Sequence, residues 1–80
     1  MTRIYRELYR IPEPNGVRHV AIEESDGLFR YSAWKRVIEE RYDGKTDACL
    51  QPILWSGLYE SAQDAERSAR AEFPWLSEEH

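Results

Sequence analysis

The side chains best suited to chemistry in this sequence are one cysteine, two histidines, several adjacent carboxylates, and arginines interleaved with aromatic residues. A reactive thiol needs a cation or an imidazole beside it. Cys49 has no such neighbour in the chain, so it reads as a small hydrophobe. His19 lies in an extended-looking run and His80 at the end of the sequence; with a single cysteine they make no metal-ligand spacing. The pairs Glu23-Glu24, Glu39-Glu40 and Glu78-Glu79 are adjacent, so on a strand each pair points to opposite faces and cannot converge on one substrate atom. No phosphate loop or dinucleotide fingerprint is present. The chain is therefore expected to be non-catalytic, with no metal and no cofactor.

The remaining chemistry is recognition. Arg3-Ile-Tyr5-Arg6, Tyr9-Arg10, Arg30-Tyr31 and Trp34-Lys35-Arg36 mix guanidinium groups with aromatic rings. Sheets that bind nucleic acid use such mixtures, because arginine meets phosphate while rings stack on bases or sugars. Strand periodicity predicts that Arg6 and Arg10 share one face of the first strand, and that Arg30, Trp34 and Arg36 share one face of the third. These five are the candidate binding residues. The competing reading is that arginine stems cover apolar sheet surface and pair with nearby glutamates.

The elements that position these residues follow from pattern. Residues 3–11 are rich in β-branched and aromatic types and stop at Pro12-Glu13-Pro14-Asn15-Gly16, which reads as strand and loop. A second strand, 17–24, sets Val20 and Ile22 on one face against Val17, His19 and Ala21 on the other. It ends at Ser25-Asp26-Gly27, a strong hairpin signal. Residues 28–38 then fit two periods. Hairpin register asks for a third strand, while Trp34, Val37, Ile38, Arg41 and Tyr42 fall at helical spacing, with Ser32 and Gly44 as caps for a helix over 33–42. Asp43 to Asp47 reads as a turn, and Pro52 makes 49–55 an edge strand or ordered loop. Ser61 and Asp64 form a capping-box start for a helix that Pro74 ends. Ala62, Ala65, Ala69 and Phe73 give that helix a narrow stripe, Glu66 and Arg70 its outer face, and Trp75-Leu76 a clasp over the core edge.

Composition sets the scale. Eighty residues carrying 11 Lys and Arg against 15 Asp and Glu form one small acidic domain, 1–80. At this size about 60% of the unfolded surface is buried, so three Trp, five Tyr and two Phe should be committed to one core. A single cysteine cannot bridge internally, and neither an export signal nor a membrane span is apparent, which favours the cytoplasm. Charge is uneven: residues 1–36 carry +2 and residues 37–80 carry −6. A polyanion partner therefore stays open for the N-terminal half despite the acidic total.

Two resemblances add to this. The stretch Trp55-Ser-Gly57-Leu-Tyr59-Glu-Ser61-Ala-Gln-Asp-Ala65-Glu-Arg-Ser-Ala69 resembles the end of the plant ethylene-response-type DNA-binding domain, where a last strand turns into an Ala-rich helix. That resemblance implies a three-stranded sheet reading the major groove through Arg30, Trp34 and Arg36. The glycine-rich basic first strands of that family have no counterpart here, and the segment 39–54 is longer than its loop. The C-terminal stretch, Ser56-Gly57-Leu58-Tyr59-Glu60-Ser61-Ala62 and Ala71-Glu72-Phe73-Pro74-Trp75-Leu76, is similar to small bacterial proteins of unknown function, which implies a bacterial origin and a shared fold but points to no particular activity.

The expected architecture is α+β: an antiparallel sheet of three strands, or four with 49–55, and one C-terminal helix packed on one face. An additional helix at 33–42 is the alternative. The expected function is that of an accessory or protein-interaction module acting through its sheet face or edge, with a protein or a second copy as partner. A nucleic-acid-binding module is the alternative.

Overall fold

A computed structural model describes residues 3–76, leaving Met1, Thr2 and Ser77 to His80 outside the described residues, His80 and the Glu78-Glu79 pair among them. The chain forms β1 (Arg6–Pro12), β2 (Arg18–Ser25), β3 (Leu28–Glu40), β4 (Thr46–Trp55) and the helix α1 (Ala62–Glu72), followed by a 3-10 turn at Pro74–Leu76. The strands make one antiparallel sheet in the order β1-β2-β3-β4. The fold is thus α+β, with four strands and one C-terminal helix.

The β2–β3 hairpin fixes the frame. Asp26 (φ 52°) and Gly27 (φ 79°) both occupy the left-handed region, as a two-residue turn with type I′ twist requires. Ser25 then pairs with Leu28, and the register runs without a break to Arg18 opposite Lys35. Directly opposed residues point to the same side. Val20, Ile22, Phe29, Tyr31 and Ala33 therefore face α1, while His19, Ala21, Glu23, Arg30, Ser32 and Trp34 face away.

The helix reading of 33–42 is corrected by this pairing. Trp34 and Val37 suit a pleated surface as well as a helix, and β3 finds backbone partners on both sides up to Arg36, whose N–H donates to the Val17 carbonyl at 2.7 Å, and on the β4 side beyond it. The backbone groups a helix would satisfy internally are taken up by the ladder. Past Arg36 the strand outruns β2, so residues 37–40 and 46–49 project as a two-stranded ribbon.

Two bulges break the alternation. In β1, Glu7 pairs with Glu23 and Tyr9 with Ile22, leaving Leu8 as the extra residue. In β4, Ala33 pairs with Leu54 and Trp34 with Pro52, leaving Ile53 as the extra residue. The segment after β4 docks beside the start of β3 through Phe29 and Tyr59, which exchange backbone hydrogen bonds of 2.9 and 2.7 Å. This hands the chain from the sheet edge to the helix.

Helix α1 starts where expected. The Ser61 hydroxyl accepts a hydrogen bond from the Asp64 backbone N–H at 3.1 Å, a cap that contributes roughly 1 kcal/mol. Ala65 and Ala69 are fully buried, and their small side chains let the helix lie close over Val20, Ile22 and Ala33. Phe73 caps the helix, Pro74 turns the chain, and Leu76 is buried against the same cluster. The Cα trace measures 47 × 38 × 16 Å, room for a sheet layer and a helix layer and no third. Among the described residues, one face of the sheet is covered and the other is bare.

The polar contacts on the covered side join three elements. Tyr9 on β1 donates to Glu66 at 2.5 Å, Arg70 donates to the same carboxylate at 2.9 Å, and Arg70 also donates to the Leu76 carbonyl at 2.7 Å. Glu66 and Arg70 pair at i, i+4 as the sequence suggests, and they also tie the sheet edge to the C-terminal clasp. Burial, and next the bond to Glu66, push the Tyr9 phenol up to about 12. Tyr31, bonded to Glu72 at 2.5 Å, shifts in the same direction for the same reasons. A phenol whose folded pKa lies above its unfolded value near 10 contributes stability below that value and loses it as the folded pKa is approached. The melting temperature is accordingly expected to fall as pH rises from about 10 to about 12. Tyr9→Phe together with Tyr31→Phe should flatten that fall, as thermal melts by circular dichroism would read.

Candidate interaction face

The bare face is built from small residues along its middle and larger ones around them. Ala21 and Ser32, directly opposed on β2 and β3, are 1% and 0% exposed. His19 and Trp34, the next opposed pair, stack with ring centroids 6.5 Å apart and planes within 10°. Trp55, opposite Ser32 on β4, meets Trp34 edge-on at 6.0 Å. The Trp34 indole Nε1 donates to the Ser32 hydroxyl at 2.9 Å, which fixes the ring over the strand. Burial, with the nearby Arg10 charge second and Glu7 opposing, lowers the His19 pKa and favours a neutral imidazole at neutral pH. The result is a cluster of aromatic rings with one half-exposed member, Trp55.

The candidate arginines sort differently from the expectation. The Leu8 bulge flips the alternation within β1, so Arg6 opposes Glu24 on the helix side and Arg10 opposes Ala21 on the bare side. The two do not share a face. Arg10, Arg30, Trp34 and Arg36 do lie together on the bare face, as alternation along β3 requires. Three of the four arginines, however, already hold carboxylates: Arg6 bonds Glu24 at 2.9 Å, Arg10 bonds Glu7 at 3.0 Å, and Arg30 bonds Glu23 at 2.8 Å. Arg30 also lies over the Tyr5 ring at 3.5 Å. Among the described residues Arg36 has no carboxylate within 4.0 Å. By register the strand residues of this face carry Arg10, Arg30 and Arg36 against Glu7, Glu23 and Glu40, a balanced charge.

The face continues onto the ribbon. Arg36 opposes Leu50, Ile38 opposes Ala48, and Glu40 opposes Thr46. Ile38 is 63% exposed and Leu50 48%, the largest aliphatic surface on that stretch. Cys49 opposes Val37 on the other side of the ribbon, exposed and free, its Sγ 4.0 Å from a Glu39 oxygen. His19, Trp55, Ile38 and Leu50 join this face beyond the residues that the sequence singles out. The signal for His19 was present: the Asp26-Gly27 hairpin forces it opposite Trp34. Trp55 and Leu50 depend on the Ile53 bulge, which has no comparable signature.

Among the described residues no group of three His, Cys, Asp or Glu side chains is placed to hold a metal ion. No helix there is long and apolar enough to cross a membrane. Comparison with protein-family models, with curated proteins and with solved structures finds no match to this chain.

Proposed function

We propose that this chain is a small, non-catalytic cytoplasmic interaction module that binds protein through the bare face of its sheet. The observation that carries the reading is the pairing of the arginines. A nucleic-acid face needs guanidinium groups free for phosphate. Here Arg10 and Arg30 are neutralised by Glu7 and Glu23, and the strand residues of the face are balanced in charge. What the face offers instead is an aromatic cluster of His19, Trp34 and Trp55 continuous with exposed Ile38 and Leu50. Aromatic residues with arginine, rimmed by satisfied polar groups, are the composition of protein-binding surfaces. An exposed thiol with no bridging partner among the described residues supports a reducing compartment.

Two measurements test the reading together. Titration with short duplex and single-stranded nucleic acid at low salt is expected to show no binding. Binding that weakens steeply with salt and with Arg36→Ala would replace the proposal with the nucleic-acid alternative. Affinity capture from extracts of the source cells should recover a protein with the native chain that Trp34→Ser, Trp55→Ser loses while keeping its far-ultraviolet spectrum. Equal recovery with both would place the working surface elsewhere.

A further inference from the structure

The ribbon poses a physical problem. A two-stranded hairpin in water is marginal on its own, and past the Arg36 N–H bond to the Val17 carbonyl, residues 37–40 and 46–49 have, among the described residues, neither a third strand nor a helix over them. Its bare-face side nevertheless carries Ile38 and, at its base, Leu50, exposed by 63% and 48%, with the small Ala48 between the strands' larger residues. Along β3 this side reads Arg36, Ile38, Glu40, one positive and one negative group at equal spacing from an apolar centre. Seven arginines of the molecule hold carboxylates, yet among the described residues neither Arg36 nor Glu40 has an oppositely charged partner. Such a pattern is complementary to itself.

We infer that a second copy of this chain covers the ribbon, stacked face to face about a two-fold axis that runs across the strands at Ile38. That axis reverses the strand direction of the partner copy. Ile38 then meets its own counterpart, and Arg36 of each copy faces Glu40 of the other, an isologous contact in which the Arg36–Glu40 pair forms twice. An unrelated chain would have to reproduce this order of charges; a second copy does so by symmetry. The stacked ribbons supply each other with the layer that the fold does not, and the contact extends toward Trp34 and Trp55. The inference rests on the proposal that the bare face binds protein, and names the occupant of its ribbon end.

Sedimentation of the intact chain over a range of concentrations tests it. The expected result is a reversible dimer, lost in Ile38→Asp and weakened roughly tenfold or more in Arg36→Glu, which sets two acids against each other at both ends. The exchanged pair Arg36→Glu, Glu40→Arg should recover dimerisation, which a merely structural role for Arg36 would not produce. With a short bis-maleimide crosslinker, Ile38→Cys in a Cys49→Ser background should be captured as a dimer across the axis, since stacked sheets lie about 10 Å apart, while native Cys49, on the other side of the ribbon, should not. A monomer at every concentration, a dimer indifferent to Ile38→Asp, or an exchanged pair no better than Arg36→Glu overturns the inference. A persistent monomer that still captures a protein through Trp34 and Trp55 would overturn the dimer alone, leaving the proposed function standing.

Discussion

Replacing Ile22 with Ala is expected to cost about 2–5 kcal/mol of folding free energy, against a total of roughly 4–12 kcal/mol for a domain of this length. Ile22 is fully buried at the centre of the covered face, opposite Tyr31 and beneath the alanines of α1. Because Ala65 and Ala69 already bring the helix close, the layers have little slack with which to collapse around a missing side chain. The cavity term should therefore persist. Ile38 is the matched control, a strand isoleucine of the same type that lies 63% exposed on the ribbon. Measured at a concentration where the chain is monomeric, Ile38→Ala should change stability by no more than about 0.5 kcal/mol. Urea denaturation with an unchanged slope checks both. Equal losses at the two sites would mean that the ribbon belongs to the core.

The second large effect is expected at the C-terminal clasp. Leu76→Ala should also cost about 2–5 kcal/mol, although the residue lies outside both the sheet and the helix. Leu76 is fully buried, its backbone N–H donates to the Phe73 carbonyl at 3.0 Å, and its own carbonyl accepts from Arg70 at 2.7 Å. Trp75 beside it packs on Phe73 at 5.7 Å, and the Arg18 guanidinium sits 5.0 Å from its ring. The clasp thus closes the side of the core that a short helix leaves open. Thermal melts of Leu76→Ala should show a fall of more than about 10 °C, given the small unfolding entropy of a chain this size. A fall within experimental scatter would reduce the clasp to a loose tail.

Most of the architecture was legible because local and tertiary signals agreed. Asp26-Gly27, the alternation of Val20 and Ile22, and the Ser61 cap each have one structural solution, and each is found. The segment 28–42 was not decided locally, since Trp34, Val37 and Ile38 suit both a strand and a helix. Backbone pairing with β2 and β4 settled it. The face assignment of Arg6 failed for a different reason. A single extra residue, Leu8, inverts every position before it, and nothing in the composition of Glu7-Leu8-Tyr9 announces a bulge. The arginine partners lay between these cases. Glu23 opposite Arg30 follows from the hairpin arithmetic once the turn is fixed, whereas Glu24 opposite Arg6 depends on the bulge.

The two faces divide the labour: the covered face holds the fold, and the bare face, with its ribbon, is the one proposed to meet a partner. Amide chemical shifts followed from micromolar to millimolar concentration test it most directly. Changes are expected to be confined to Trp34 through Glu40 and Thr46 through Trp55, with α1 and β1 unmoved. A spectrum that does not change at all would overturn the dimer, and shifts centred on α1 or on β1 would contradict the assignment of the bare face itself.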